Sequence, residues 1–488
     1  MALSFDRILW RSGAAPRASV LVDIEAYYAA AKAAMERAQR SIHLLNWAFE
    51  SRTRLQPRAQ GADVAGEHIG DLLKRLAAAG LDVRVLCWKT ALPVAATQDF
   101  FPLQDRRSFR DSAVKFVLDG GHPYGACHHQ KILVVDDAVA FCGGADFGQD
   151  RWDTAGHLDD DPRRVVPGRP NRHFDSRHEV MALIDGPPAA ALGELFRDRW
   201  RRATGEVLPS RPLAAPQAWP EGEPEFRDIN VGIARTVGAW RSWPEVRETQ
   251  ALTIASIAAA RRCIYLENQY YTSPVAAEAL ASRLAEADGP EVVLVTTQHS
   301  PHWFDRMTMD RARGAFIGRL QRADQYGRFH IYSPTTEQGR SIIVHAKVAI
   351  IDDVFVRVGS ANMNNRSVGF DTECDVFFEA ESAENRQAVE QLRGRLVRHW
   401  LGCLRPELEA ALERAGGRLG AAIEGLRAAG YGRLAPVTPA FLGPVASFIA
   451  AFHLGDPLGP ADSFRPLLRR RRLADEVAEV AARLRETA

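Results

Sequence analysis

The chain has 488 residues, of which 46% are hydrophobic and 25% are charged, a composition typical of a globular protein with two or three domains. Its 62 basic and 61 acidic side chains nearly cancel to a net charge of +1, which argues against a protein that coats DNA, so we expect no nucleic-acid partner. The sequence contains no run of about 18 apolar residues, so it predicts no transmembrane helix. Residues 1–20 lack the apolar stretch of a Sec signal peptide.

The six cysteines are scattered along the chain, without the Cys-x-x-Cys spacing of a zinc site or a redox pair. This pattern is typical of reduced thiols in a cytoplasmic protein. It predicts no structural zinc, and we expect neither a metal nor a cofactor. The cysteines are Cys87, Cys127, Cys142, Cys263, Cys374 and Cys403.

The first half of the chain alternates apolar strands with Ala-rich helices. Residues 41–51 (SIHLLNWAFES) form one predicted strand, and residues 83–88 (VRVLCW) form the next, after an Ala-rich helix. The stretch ACHHQKILVVDDAVAFCGGAD (126–146) predicts two further strands, and EVMALID (179–185) another before a long helix. Strands that alternate with helices predict an α/β fold with a largely parallel or mixed sheet.

The second half repeats this order of elements. The stretch VHAKVAIIDDVFVRVGSANMN (344–364) shares the pattern H-x-K-x4-D-x6-G-[GS]-x-[DN] with the first copy, 216 positions later. The segments CIYLENQYYTS (263–273), VVLVTT (292–297) and ECDVFFE (373–379) align with the other strands. Such a duplication predicts two α/β lobes related by a pseudo-twofold axis. The aligned residues are His129 and His345, Lys131 and Lys347, Asp136 and Asp352, Gly144 and Ser360, and Asp146 and Asn362.

The repeat also predicts the domain boundaries. A Pro-rich linker separates the two lobes, and Ala-, Leu- and Arg-rich helices follow the second lobe. The loop at 147–178 is longer than its counterpart in the second half, as is typical of a loop with a function. The predicted parts are a first lobe at 1–208, a linker at 209–225, a second lobe at 226–404 and a helical extension at 405–488.

The paired motif supplies the side chains for chemistry on a phosphate. Residues i and i+2 of a strand share a face, so His129 and Lys131 point the same way, as do His345 and Lys347. Twofold docking of the lobes would bring all four into one pocket. One imidazole attacks phosphorus to give a phosphohistidine, and the other protonates the leaving alkoxide. The two lysines supply the positive charge that a metal would otherwise supply.

Each imidazole needs an acceptor on its second nitrogen. Glu179 and Glu373 occupy equivalent positions in the repeat and are the predicted acceptors, with Asp175 and Asp371 as alternatives. Two further aspartates, at the far end of each apolar strand, are predicted to fix the turn into the next strand rather than to react. They are Asp136 and Asp352.

At these residues the chain resembles the phospholipase D superfamily. HHQKILVVDD and VHAKVAIIDD match its duplicated His-Lys-Asp motif, and GSANMNNRSVGFDTEC and YLENQYY resemble bacterial relatives of eukaryotic phospholipase D and the cardiolipin synthases. The resemblance covers about residues 41–402. It implies two pseudo-symmetric α/β/α sandwich lobes, an active site at their interface and a ping-pong reaction through phosphohistidine. It also implies His129 as nucleophile and His345 as acid, a choice that the symmetry of the repeat leaves open.

The resemblance further implies a glycerophospholipid substrate, with water or an alcohol as acceptor. We expect a cytoplasmic enzyme that contacts the membrane surface transiently. Asp146 departs from the family, which commonly has Asn there, and a carboxylate would repel phosphate, so the phosphate-binding role passes to Asn362. The predicted substrate-binding residues are Asn362, Ser360, Gly144 and Asn268.

Two other functions remain open. A nuclease or other non-lipid phosphodiesterase would use the same site, but a nuclease groove normally needs a basic stripe. A non-enzymatic lipid-binding scaffold would not be expected to keep both His-Lys pairs intact. Trp47, Trp88 and Trp152 fit core packing as well as a lipid-binding wall. The run 469–472 is more typical of a solvated helix face than of a lipid contact. The sequence leaves the headgroup, the acceptor and the oligomeric state open.

Overall fold

The computed structural model describes residues 8–60, 63–90, 102–210, 218–437 and 443–487. Residues 211–217 of the predicted linker therefore lie outside the described residues. Within these ranges the chain forms twenty strands and thirteen helices. The strands are β1 (Arg11–Val22), β2 (Ser41–Asn46), β3 (Arg58–Gln60), β4 (Asp63–Ala65), β5 (Asp82–Trp88), β6 (Lys115–Asp119), β7 (Ile132–Val135), β8 (Val139–Gly143), β9 (Arg177–His178), β10 (Val180–Asp185), β11 (Phe226–Val237), β12 (Val246–Arg247), β13 (Cys263–Glu267), β14 (Glu291–Val295), β15 (Phe329–Pro334), β16 (Ile343–Val344), β17 (Val348–Ile351), β18 (Phe355–Gly359), β19 (Glu373–Glu379) and β20 (Leu434–Pro436). The helices are Ile24–Glu36, Ile69–Ala78, Pro102–Ser108, Pro187–Thr204, Glu248–Ala259, Pro274–Ala285, Trp303–Ala323, Arg366–Gly369, Ala383–Leu401, Arg405–Arg414, Leu419–Ala428, Pro444–Ala451 and Pro466–Thr487.

One mixed sheet runs through both halves of the chain. The strand order is β1-β10-β8-β7-β2-β5-β6 in the first half and β11-β19-β18-β17-β13-β14-β15-β20 in the second. β1 and β11 pair antiparallel, from Arg11 opposite Ile233 to Ala18 opposite Phe226, and so join the halves edge to edge. Apart from the added β20, the two halves have the same strand order, which confirms the predicted duplication.

Helices cover both faces of this sheet. Along β7, Ile132 and Val134 pack into a core that both halves share, whereas Leu133 and Val135 pack into a core of the first half alone. This division follows from the alternation of side chains across a strand, and β17 divides its residues in the same way. The three layers confirm the predicted α/β/α fold. The shared core includes the equivalent tryptophans of the two long helices, Trp200 and Trp400.

The segment after residue 404 packs onto the second half. β20 extends the sheet by pairing antiparallel with β15. The helix Pro466–Thr487 buries Val480 and Leu484 in the core of the second half. Among the described residues, no helix combines the length and the apolar character that crossing a membrane requires.

Candidate active site

Each His-Lys motif docks against a short segment from the opposite half of the chain. The backbone N–H of His129 donates to the carbonyl of Thr372 at 2.9 Å, and that of His345 donates to the carbonyl of His178 at 2.9 Å. β16, just before His345, pairs in parallel with β9. His128 forms the corresponding parallel bridge with Thr372. These contacts bring both histidines to the interface between the halves.

Each histidine also faces a glutamate from the opposite half. His129 Nδ1 donates to Glu373 Oε2 at 2.9 Å, and His345 Nδ1 lies 2.8 Å from Glu179 Oε1, although the latter contact is not aligned as a hydrogen bond. Both glutamates are fully buried. A carboxylate beside Nδ1 favours a proton on that nitrogen and leaves the lone pair on Nε2.

The two alternative acceptors lie elsewhere. Asp175 is exposed. Asp371 accepts two hydrogen bonds from Arg366, each at 2.8 Å, and another from the backbone N–H of Cys127. The structure therefore brings the predicted glutamates, and not these aspartates, to the histidines.

Both histidines line one cavity of about 1040 Å³, together with Lys131 and Asn362. The Lys131 Nζ donates to the carbonyl of His129 at 2.6 Å, and the Lys347 Nζ donates to the carbonyl of His345. Both lysines are 1% exposed, and Lys347 lies behind the cavity wall rather than on it. Each ammonium group is thus fixed by the backbone of its own motif.

Burial and crowded positive charge set the protonation of this site. Burial, with the ammonium groups of Lys131 and Lys347, lowers the pKa of His129 well below its usual value. Burial, with Lys347 and Arg177, does the same to the pKa of His345. Burial lowers the pKa of Lys347 to about 7. Both imidazoles are therefore neutral at neutral pH in the free protein, as a nitrogen nucleophile requires.

Two of the predicted substrate-binding residues, Ser360 and Gly144, lie beside the buried glutamates. The Ser360 hydroxyl donates to Glu373 Oε2 at 2.6 Å and does not line the cavity. At Gly144, an added Cβ would lie 2.7 Å from Glu179 Oε2, so this position needs glycine to make room for the carboxylate. Neither residue lines the cavity, so their predicted contact with substrate stays a prediction, whereas their contacts in the structure are with the glutamates.

The other two predicted substrate-binding residues, Asn268 and Asn362, differ in their position relative to the cavity. Asn268 is buried off the cavity, and its Oδ1 accepts the backbone N–H groups of Met363 at 3.1 Å and Tyr270 at 3.2 Å. These hydrogen bonds brace the loop that carries Asn362, and the predicted contact of Asn268 with substrate stays a prediction. Asn362 lines the cavity, as its predicted role requires.

The structure accounts for the departure at Asp146. This carboxylate is fully buried away from the cavity, where it accepts hydrogen bonds from Arg151 Nε at 2.9 Å and from the backbone N–H of Ala48 at 3.1 Å. Arg151 itself lines the cavity. Asp146 thus anchors the guanidinium group of Arg151 in the cavity wall. In the second half, Asn362, which aligns with Asp146 in the repeat, lines the cavity itself.

The sequence predictions named none of the arginines that line the cavity, among them Arg151 and Arg177. Arg177 lies two residues before Glu179, the same i, i+2 relation that links each histidine to its lysine, and that spacing was a usable signal. The signal for Arg151 was the acid at Asp146, which needs a cation nearby once it is buried.

Aromatic side chains form another part of the wall. Trp47 stacks on Trp88 with ring centroids 5.7 Å apart, and both line the cavity. The Lys131 Nζ lies 5.9 Å from the Trp47 ring centroid, within range of a cation–π contact. Trp152 is 4% exposed and does not line the cavity, so for this residue the core-packing interpretation applies.

Asp136 and Asp352 hold the chain at the far end of the apolar strands. Each has a positive φ, 57° and 54°, and is the first residue of the three-residue turn of a hairpin. The Asp136 carboxylate accepts three backbone N–H groups just before and at the start of β2, each at 2.8 Å. The Asp352 carboxylate accepts the three equivalent groups before β13, at 2.7 to 2.8 Å. Both residues therefore connect a turn to a neighbouring strand.

We expect Asp136→Ala to lower the free energy of unfolding by about 2–4 kcal/mol, because three backbone donors lose their acceptor and Ala is strained at positive φ. Asp136→Asn keeps one acceptor oxygen and tolerates this φ, so its loss is smaller. Chemical denaturation of the three proteins measures the difference. A stable Asp136→Ala protein that had lost its activity would instead point to a chemical role.

The arrangement can attack and protonate a tetrahedral anion. Two imidazoles face one cavity, and cationic groups line it or lie just behind its wall. Such a site can hold a phosphodiester by its free oxygens, attack phosphorus from one side and protonate the leaving oxygen on the other.

Comparisons with known proteins agree with this geometry. Residues 253–400 match the family model described as "Cardiolipin synthase, PLD-like domain". Phospholipase D A of Dictyostelium discoideum is 24% identical over 417 residues, which cover 71% of this chain and 31% of that protein. Cardiolipin synthase A of Pseudomonas putida (strain W619) is 28% identical over 316 residues, which cover 62% of this chain and 55% of that protein. The chain thus spans about a third to just over half of these relatives.

Among solved structures, the chain resembles phosphatidylserine synthase of Haemophilus influenzae Rd KW20. The two share a TM-score of 0.54 at 13% sequence identity, and the likeness covers 81% of this chain and 91% of that one. At this identity the likeness shows a shared fold.

Proposed function

We propose a function for this chain as a member of the phospholipase D superfamily. The proposal is that it cleaves or exchanges the headgroup of glycerophospholipids through a phosphohistidine. The observation that carries the proposal is the pair of His-Glu contacts across the two halves, His129 with Glu373 and His345 with Glu179, facing one cavity. A duplicated motif with both pairs intact supports an enzyme rather than a binding scaffold.

In the proposed first step, His129 Nε2 attacks phosphorus and a P–N bond forms. The P–O bond to the headgroup breaks, and His345, protonated in the substrate complex, gives its proton to the leaving oxygen. In the second step, His345 removes a proton from water or an alcohol, which attacks phosphorus as the P–N bond breaks. Glu373 holds the Nδ1 proton of His129 and stabilises the positive charge that forms on that ring.

The cationic side chains stabilise charge on the phosphoryl oxygens in this scheme. Lys131 and several arginines, Arg151 and Arg177 among them, line the cavity, and Lys347 lies behind it. Because the two lysines, Arg151 and Arg177 are largely buried, they lower the energy of a pentacoordinate phosphorus more than they would in bulk water. The anionic substrate also favours the protonated form of His345, whose pKa is low in the free protein.

The mouth of the cavity suits a substrate that sits in a lipid surface. Tyr124, Trp303 and Phe464 line the cavity, yet they are 77%, 67% and 73% exposed. Exposed aromatic side chains around a cavity are typical of surfaces that contact membranes or partners. In the basic run, Arg469 is buried against backbone carbonyls, whereas Arg470 and Arg471 are exposed and can meet anionic lipid.

The proposal predicts that the purified protein, given mixed phospholipid vesicles and ethanol, forms phosphatidylethanol. The alcohol competes with water for the phosphohistidine, so the exchange product is expected if this intermediate forms. Mass spectrometry of the lipids detects it. Turnover of DNA or a soluble phosphodiester without any lipid product would favour the phosphodiesterase alternative, and no turnover of any phosphodiester would favour the scaffold.

We expect kcat/KM for lipid to pass through a maximum near pH 7. Burial raises the pKa of Glu373 to about 7, so below that pH the carboxylate that supports His129 becomes neutral. Burial lowers the pKa of Lys347 to about 7, so above that pH the site loses a positive charge. A pH profile measures both limbs. Lys347→Arg, which keeps its charge, should shift the alkaline limb upward, and a rate that rises steadily into alkaline pH would contradict the assignment.

A further inference from the structure

A second cluster, of one aspartate and three histidines, lies buried between the two halves and away from the cavity. It contains Asp23, His157, His178 and His399, whose potential ligand atoms all lie within 4.8 Å of one another. Asp23 directly follows β1, His157 lies in the long loop of the first half, and His399 lies on the helix Ala383–Leu401 of the second half. Their side chains are at most 7% exposed.

Three of these atoms converge on one point. The His157 Nε2 lies 2.9 Å from the His399 Nε2, and the Asp23 Oδ2 lies 3.5 Å from His399 Nε2 and 3.8 Å from His157 Nε2. Asp23 Oδ2 is buried and has no hydrogen-bond partner. A buried carboxylate oxygen without a donor is costly, so it indicates a missing positive partner.

The surrounding groups hold these atoms in position. The His157 Nδ1 donates to Asp153 Oδ2 at 2.8 Å, which fixes the proton on Nδ1 and turns the lone pair of Nε2 toward the cluster. His178 lies between two carboxylates, with Nδ1 2.8 Å from Asp23 Oδ1 and Nε2 2.8 Å from Glu267 Oε2. A carboxylate behind a histidine and a donor behind a carboxylate are the usual supports of metal ligands.

We propose that Asp23 Oδ2, His157 Nε2 and His399 Nε2 bind one divalent transition-metal ion of the zinc type. Two nitrogens and one carboxylate oxygen form a donor set that such ions favour, at bond lengths of about 2.0–2.2 Å. Ligand atoms around a tetrahedral ion then lie about 3.3 Å apart. The three observed separations bracket this value, so side-chain shifts of about half an ångström are enough to form the site.

The role of this ion is structural. Asp23, His157 and His399 do not line the cavity, so the ion is shielded from substrate. It joins the loop of the first half to a helix of the second, beside His178, whose carbonyl accepts the backbone N–H of His345. A bound ion would therefore hold together the interface that positions the two catalytic histidines.

The test is to load the full-length protein with Zn²⁺, dialyse it against metal-free buffer and measure zinc by mass spectrometry and the unfolding temperature. We expect about one zinc per chain and a higher unfolding temperature. His157→Ala and His399→Ala should lose the zinc and the shift. His173→Ala, which removes an exposed histidine of the same loop, should keep both. His129→Ala should also keep its zinc, so the metal site and the proposed function can fail independently.

Absence of zinc from the loaded wild-type protein would overturn the proposal. The cluster would then be a hydrogen-bond network in which His399 Nε2–H donates to His157 Nε2. Equal zinc in the wild-type, His157→Ala and His399→Ala proteins would overturn it as well. If neither alanine variant folds, the Asp153→Asn variant tests the metal site, because it keeps all three ligands. Weakening of Zn²⁺ affinity by about 10–100-fold is expected, and an unchanged affinity would contradict the site.

Discussion

We expect His129→Ala and His345→Ala each to lower phosphatidyl transfer from a natural phospholipid by at least about 10³-fold, because each removes a group that reacts at phosphorus in the proposed mechanism. The two variants should differ on a phospholipid whose leaving group is acidic enough to depart without a proton, such as p-nitrophenol. His345→Ala should then recover most of its first-step rate, since only the acid is missing. His129→Ala should stay inactive, since the nucleophile is missing. Release of p-nitrophenol under single-turnover conditions measures this step.

This comparison assigns the roles that the symmetry of the repeat leaves open. Recovery in His129→Ala instead of His345→Ala would make His345 the nucleophile. Equal loss in both variants on the activated substrate would contradict a division into nucleophile and acid. His68→Ala, at an exposed contact with Asp71, is the matched control and should behave as the wild type.

We expect Glu373→Gln and Glu179→Gln each to lower the proposed turnover of natural lipid by about 10²–10⁴-fold, the range expected when a histidine loses its carboxylate partner. Gln keeps the size of the side chain but not its charge, so the imidazolium that forms during the reaction loses its support. Circular dichroism checks that the variants fold, and initial rates of headgroup release measure the effect. Asp175→Asn, at the exposed alternative acceptor, should leave the rate unchanged.

The pairing across the halves makes a sharper prediction in double variants. On the p-nitrophenol lipid, Glu179→Gln should add nothing to His345→Ala, because Glu179 acts only through the histidine that is already gone. Glu373→Gln should still slow the His345→Ala protein, because Glu373 supports the remaining nucleophile. The reverse pattern would show that each glutamate serves the histidine of its own half.

Sequence pattern was enough to predict the repeated part of the fold. The alternation of apolar residues in segments such as ILVV at 132–135 reflects burial on both faces of a strand, and the structure places β7 there. By contrast, β1 was not predicted. Its sequence, RSGAAPRASVLV, begins with charged and small residues that include Gly and Pro, and it is a strand because β10 and β11 pair with it on both sides.

The candidate site was likewise predicted only in part from the sequence. The His-Lys pairs, the two glutamates and the turn aspartates were all predicted from one chain, because the duplication aligns each of them with an equivalent residue. That alignment could not show that His129 faces Glu373 rather than Glu179, or that Ser360 and Asn268 support other residues. These are contacts between distant parts of the chain, such as the 244 positions from His129 to Glu373, and docking of the halves sets them.

The sequence by itself determined the α/β class, the duplication and the paired His-Lys motifs from which phosphoryl chemistry is proposed, since these follow from local periodicity and repeated spacing. Only the tertiary structure decided which half completes each histidine, how Arg151 neutralises Asp146, and that Asp23, His157 and His399 meet. The physical reason is that strand and turn preferences act over a few residues. The partners of a buried charge are chosen instead by packing, which brings together groups that no spacing in the sequence relates.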